Sequence, residues 1–151
     1  MRVFYFFLFL ALGIFSTQSL SQTPVDIATE ETAIRDLITQ YMGTRAQNNE
    51  QGLLALLTED IDQLTTSGLL RSGRIGVSSG SLASSQSNSG KRSITVESIR
   101  FIKPDVAIVN GRYDIVDRST GPDSHYLTSI VVVMEDQRWL ISAIRNMQPT
   151  Q

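Results

Sequence analysis

"HYLTSIVVVMEDQRWLISAIRNM", residues 125–147, reads as two β-strands joined by a tight turn. Val and Ile crowd the first half, Trp139, Leu140, Ile141 and Ile144 the second, and Asp136-Gln137 between them has the composition of a short connection. A two-residue turn there sets Glu135 opposite Arg138, Met134 opposite Trp139, Val132 opposite Ile141, Ile130 opposite Ala143 and Thr128 opposite Arg145. One face then carries Tyr126, Thr128, Ile130, Val132 and Met134 beside Trp139, Ile141, Ala143, Arg145 and Met147. It is apolar near the turn and polar at the far end, as expected of a core that opens into a pocket. A charge at a dry site costs several kcal/mol unless paired, so Arg145 is expected to meet water, a carboxylate or a bound anion. Either it snorkels to solvent at the sheet's rim or it lines the pocket as a donor.

Upstream of this hairpin, "SITVESIRFIK" and "VAIVNGRYDIV" are two more strands, set off by Pro104-Asp105 and by the run Ser119 to Asp123. Such short connections make an antiparallel meander, because parallel neighbours need a crossover of roughly a dozen residues. The chain's first half is different. "TPVDIATEETAIRDLITQYMGTRAQ" opens with Thr23 as a cap, Pro24 at the first helical position and Asp26 as a capping-box acid. Ile27, Ile34, Leu37, Ile38 and Tyr41 then recur at helical spacing, with Glu30 and Glu31 near the start and Arg45 near the end complementing the macrodipole. After "NNE", "QGLLALLTED" is a short second helix and "IDQLTTSG" a first strand ending at Ser67-Gly68. "GVSSGSLASSQSNSG" (76–90) reads as a Ser/Gly-rich loop, with at most one short helix, extending to about residue 93, because these side chains compete with the backbone for hydrogen bonds. Helices first and strands after make the fold class α+β.

Residues 1–21 have the parts of a secretory signal: Arg2, an apolar run from Val3 to Phe15, and the small-x-small end Ser19-Leu20-Ser21, with cleavage expected after Ser21. The run falls short of the roughly 20 residues that span a bilayer, so no membrane anchor is expected once the signal is removed. That leaves 22–151 as a single exported domain, periplasmic or extracellular. Of 13 Lys+Arg and 15 Asp+Glu, only Arg2 lies in the signal, so the mature chain carries 12 against 15, a net of −3. A mildly acidic chain whose only basic pair is Lys91-Arg92 lacks the concentrated basic face that nucleic acid requires. Without cysteine there is neither a disulfide nor a thiol nucleophile. A single histidine, His125, rules out a His-rich metal site, and no metal or other cofactor is expected.

A long helix, a short Leu-rich helix followed by Glu59-Asp60, the Ser67-Gly68 turn, Ser72-Gly73-Arg74 and a meander containing "RFIKPDVAIVNGRYDI" and ending "RWLISAIRN" together resemble the nuclear-transport-factor-2-like superfamily. Within it the chain resembles the SnoaL-like group, and especially its SgcJ/EcaC branch, over roughly Thr29 to Met147. The resemblance implies a curved, cone-shaped antiparallel sheet wrapped round the long helix, as in cystatin-like folds. The open end of such a cone holds a small apolar or carbonyl-containing ligand, and homodimers form through the outer sheet face. The chain departs from the family pattern near the cone mouth: where relatives usually have a third, Ala-rich helix, it has the Ser-rich stretch after Arg74-Ile75.

The ligand is therefore expected among Tyr41, Leu57, Tyr113, Tyr126, Trp139 and Arg145, with Asp60 or Tyr41 as the proton handler of a weak lyase or isomerase. Asp60 also fits a cap or turn, and Tyr41 a core position. His125 should project from the opposite face of the sheet. "GVSSG" (76–80) matches a nucleophile elbow, but the buried parallel strand that such an elbow follows is missing. The alternative to a binding domain is a non-catalytic association module with a filled cone. Its homodimer would bury Leu127, Val131, Val133, Leu140 and Ile144 of the outer face.

Overall fold

The computed structural model describes residues 26–87 and 89–149. The signal-like segment, Thr23 and Pro24 lie outside them. Helix α1 (Ile27–Ala46) begins three residues later than the Thr23 cap implies, because Asp26 is itself the N-cap rather than a capping-box acid. Its carboxylate accepts from Ala28 N at 3.2 Å and from Thr29 Oγ1 at 2.6 Å, which lowers its pKa. Ile34, Leu37, Ile38 and Tyr41 form the buried stripe, which continues to Arg45, whereas Ile27 is exposed. Helix α2 (Glu50–Leu54) stops before Leu57, so "LTED" belongs to strand β1 (Leu57–Leu64) rather than to the helix.

A hairpin through Thr65–Leu69 joins β1 to the short β2 (Leu70–Ser72). Then comes α3 (Arg74–Ser87), where a loop is expected. Its serines do not compete with the helix. Ser79 Oγ and Ser85 Oγ donate back to the carbonyls of Ile75 and Ser81 at 2.8 and 3.0 Å. Val77, Ser78, Ser81 and Leu82 supply a narrow buried stripe that holds it against the core.

The strands β3 (Lys91–Lys103), β4 (Val106–Val116), β5 (Ser124–Glu135) and β6 (Arg138–Met147) form the expected antiparallel meander. They extend to a curved six-stranded sheet of order β2-β1-β6-β5-β4-β3, with β1 parallel to β6. The sheet's inner face (Ala107, Val109, Ile130, Val132, Ile141 and Ile144) packs on the stripe of α1.

The β5–β6 hairpin follows the expected register from Glu135↔Arg138 through Val132↔Ile141 and then departs from it. Asp136 and Gln137 both take positive φ, the backbone of a two-residue hairpin turn. Between Ile141 and Ala143, however, the ladder slips. Val131 pairs with Ala143, Ile130 with Ile144, Ser129 with Arg145 and Thr128 with Asn146, leaving Ser142 as the extra residue of a β-bulge. Because strand side chains alternate with a period of two, one extra residue exchanges the faces beyond it. Ile144 turns inward and is buried, and Arg145 turns outward. The expectation that Arg145 shares a face with Trp139 is corrected on this ground, as is that of Ile144 on the outer face. Leu140, also expected on that face, is buried as well.

The bulge sets which residues face the interior, so deletion of Ser142 should drive Arg145 inward without a partner and lower stability by at least ~3 kcal/mol. Thermal and denaturant unfolding read this. A deletion variant melting near the wild-type midpoint would show that the facing is fixed elsewhere.

Candidate functional site

The last turn of α1, the β1–β2 hairpin, α3 and the far ends of β4, β5 and β6 enclose an open cavity of about 610 Å³. Apolar and aromatic wall comes from Leu69, Ile115, Tyr113 and Tyr126, the two tyrosine rings stacked with centroids 5.9 Å apart. Polar wall comes from Gln63, Thr65, Thr66, Ser67 and Asn146, and from the serines of α3.

Three guanidinium groups, those of Arg45, Arg71 and Arg118, reach this cavity, and no Asp, Glu or His is among its described lining residues. Arg45 is only 6% exposed. It lies on the inner stripe of α1, one turn beyond Tyr41, so the helix period itself carries the charge to the sheet side. Its Nη2 donates to Ser81 O at 3.3 Å and Ser85 Oγ at 3.2 Å, and its Cζ stands 5.5 and 5.9 Å from the ring centroids of Tyr41 and Tyr113. Its Nε is buried with no hydrogen-bond partner. Burial works against this charge, but Tyr41 and Tyr113 outweigh it and raise the Arg45 pKa.

Arg71 Nη1 donates to Gln63 Oε1 at 2.9 Å, and Ser81 Oγ reaches the same oxygen at 3.4 Å, so Ser81 and Gln63 bridge the two arginines. Partial burial, and then the like charge of Arg45, lower the Arg71 pKa. Arg118 is held at the rim by Nη1 bonds to Pro122 O at 3.1 Å and Ser124 Oγ at 2.9 Å. Asn146 Oδ1 accepts from Thr128 Oγ1 at 2.8 Å, which leaves the amide nitrogen as the group it offers the cavity. The walls are rich in donors and in positive charge.

Of the residues expected to hold a ligand, Tyr113 and Tyr126 line this cavity. Tyr41 does not. It is buried behind Arg45, its hydroxyl without a hydrogen-bond partner. Leu57 is core, paired with Ile141 on the inner face. Trp139 lies at the other end of α1, where its Nε1 donates to Glu30 Oε2 at 2.6 Å beside a separate hollow of about 580 Å³. Glu30 and Arg45 are separated by about 22 Å of helix at 1.5 Å per residue, so one small ligand cannot touch both Trp139 and Tyr126.

Arg145 stands on the outer face and makes a two-point ion pair with Asp62, at 2.7 and 2.9 Å. Its partner is therefore a carboxylate, the second of the three outcomes that its charge demands. Asp60 is exposed on β1 and does not line the cavity. His125 is exposed on the outer face, with Nδ1 2.7 Å from Asp114 Oδ1. Ser78 of "GVSSG" is buried in the middle of α3, not at a strand-to-helix turn. No cluster of three or more metal-ligating side chains is present among the described residues, and none of their helices is long and apolar enough to cross a membrane.

Sequence reasoning missed Arg45, Arg71, Arg118, Gln63 and Asn146. For Arg45 the signal was present, since the inner stripe passes through it. For Asn146 the bulge hid it.

No family model and no curated protein matches the chain. Solved structures do. It is similar to an NTF-2-like protein of unknown function from Shewanella oneidensis, with 15% identity, a TM-score of 0.67, and coverage of 79% of this chain and 99% of that one. It is similar to a cystatin-like domain of unknown function from Nostoc punctiforme, with 20% identity, a TM-score of 0.70, and coverage of 82% and 79%. It is also similar to a proposed scytalone dehydratase from Novosphingobium aromaticivorans, with 19% identity, a TM-score of 0.67, and coverage of 82% and 86%. The fold is thus the NTF2-like, cystatin-like one that the sequence resembles.

Gly80 explains how α3 approaches β2. A Cβ built there would overlap the Arg71 guanidine group. Gly80→Ala should gain up to ~1 kcal/mol in helix propensity while displacing Arg71. Thermal melts should show an unchanged or raised midpoint, and a crystal structure should show the Arg71–Gln63 bond broken. An intact bond would mean that α3 moves instead.

Proposed function

We propose that this chain is an exported small-molecule-binding domain of the SnoaL-like type, in its SgcJ/EcaC branch, holding its ligand in the mouth of the cone. The observation that carries this reading is the 610 Å³ cavity itself, with a stacked tyrosine pair on one side and oriented donors on the other. A mostly preformed hollow with few, fixed polar groups is what small ligands use. It also weighs against a filled cone. Proton transfer has little support, because the described lining lacks carboxylate and imidazole. Lyase or isomerase chemistry would fall to the phenols of Tyr113 or Tyr126, with Arg45 steadying an oxyanion. Binding is accordingly placed ahead of catalysis. Export rests on residues 1–21 alone.

The test uses the processed protein, whose first residue is expected to be Gln22. A small-molecule panel should contain members that raise its melting midpoint by several degrees. Ala83 is an exposed helix position that also borders the cavity, so Ala83→Trp should fill the mouth without disturbing the core and remove those shifts. No shift with the wild type, or equal shifts in the variant, would end the reading.

Homodimer formation is a second and compatible proposal. Leu127 and Met147 are each 43% exposed and pair in register on the outer face, beside partly buried Val131 and Val133. Light scattering should give twice the chain mass, and Leu127→Arg should return it to one. A wild-type monomer at micromolar concentration excludes this proposal.

A further inference from the structure

We infer that the ligand is a planar aromatic anion, with its charged group on Arg45 and Arg71 and its ring against Tyr113 and Tyr126. This inference rests on the reading of the mouth as a ligand cavity and adds the chemical class of what fills it.

The charge distribution carries it. The whole chain has more acidic than basic side chains, 15 against 13, yet the described lining of this cavity holds three arginines and no acid. Arg45 is the decisive member. It is almost wholly buried, and its hydrogen-bond acceptors are a carbonyl and a hydroxyl, not a carboxylate. A guanidinium this buried ordinarily has a carboxylate partner, whereas here only tyrosine faces, a carbonyl and a hydroxyl answer it and its Nε has no hydrogen-bond partner. The same chain shows the usual remedy elsewhere, because half-exposed Arg145 takes both oxygens of Asp62. Arg45 faces a second hollow as well, of about 400 Å³, bordered by Lys91 and Arg92 and again with no acid among its described residues. Neither hollow beside Arg45 has an acid among its described residues, so a ligand carboxylate or comparable anion would provide the missing charge.

The aromatic part of the inference has its own geometry. The Arg45 guanidinium lies 5.9 Å from the Tyr113 ring, and Tyr126 stacks on Tyr113 with planes inclined at 27°. A flat ring that bears its anion at one edge can lie against this tyrosine pair while the anion reaches Arg45.

Two probes of equal shape separate the components: 2-naphthoate, which is anionic at neutral pH, and 2-naphthamide, which is neutral. Isothermal titration of the processed protein at low salt should give at least ~10-fold tighter binding of the naphthoate. Arg71→Gln should remove most of that preference, weakening the naphthoate far more than the naphthamide. Arg45→Met should remove it entirely. Should Arg45→Met not fold, as judged by circular dichroism, Arg71→Gln alone decides. Equal affinities of the two probes for the wild type, or a naphthoate preference that survives Arg71→Gln, overturn the inference while leaving the mouth a binding cavity for neutral molecules. Failure of both probes near ~1 mM, in a protein whose midpoint other compounds raise, overturns the aromatic-anion assignment alone. Failure of every compound overturns it together with the binding reading.

Discussion

One extra residue in β6 fixes the interior of this protein. A strand that alternates strictly from Trp139 would send Ala143 and Arg145 inward and leave Ile144 in water. The bulge at Ser142 resets the alternation, so that Ile144 closes the core and Asn146 reaches the mouth. The neighbouring strand accommodates the same step. β1 pairs with β6 at Leu57↔Ile141 and resumes only at Asp62↔Ala143 and Gln63↔Ile144, which places Gln63 on the inner face and Asp62 on the outer one. Both sides of the sheet gain from this placement. Outside, Asp62 meets Arg145; inside, Gln63 and Asn146 border the cavity.

The mouth is kept open by charge as much as by shape. The last turn of α1 delivers Arg45 to the position where another apolar residue would complete the core. α3 then closes over it with the smallest available side chains. Ser81 and Ser85 present oxygen to the guanidinium, and Gly80 leaves room for Arg71 beside it. Two like charges bridged by Ser81 and Gln63 repel, and the Arg71 pKa is lowered by its partial burial first and by the charge of Arg45 second. Packing alone would not produce such an arrangement, since an apolar residue of similar volume at 45 would remove the repulsion and fill space.

Most of the scaffold was legible because period-2 and period-3.6 patterns are local. β4, β5 and β6 and the buried run Ile34, Leu37, Ile38 and Tyr41 follow directly from spacing. Two features were not legible, for different reasons. The bulge leaves no composition signal, since Ser142 is as acceptable on a regular strand as at an irregularity, and only tertiary pairing with β1 and β5 selects it. α3 was hidden because Ser and Gly weigh against a helix in isolation. Packing of Val77 and Leu82 against the core and back-bonding of Ser79 and Ser85 reverse that preference. The candidate site was the least legible part. Tyr126 was found by alternation and Tyr113 through the family resemblance, but their cationic neighbours come from a helix end, a short edge strand and the loop after β4, which sequence patterns do not bring together.

The two arginines with similar names and opposite fates, Arg45 and Arg145, separate what the fold needs from what the cavity is for. Arg145 is an outer-face residue whose charge is answered within the chain, and a partly solvated ion pair of this kind adds little net energy beyond fixing β1 on β6. Among the described residues no acid answers Arg45, although acidic residues outnumber basic ones. An internal carboxylate at the mouth would have neutralised it permanently and occupied the space between Arg45 and Arg71. With no acid among the described lining residues, Arg45, Arg71 and Arg118 gather positive charge in one concave spot of a chain that is acidic as a whole.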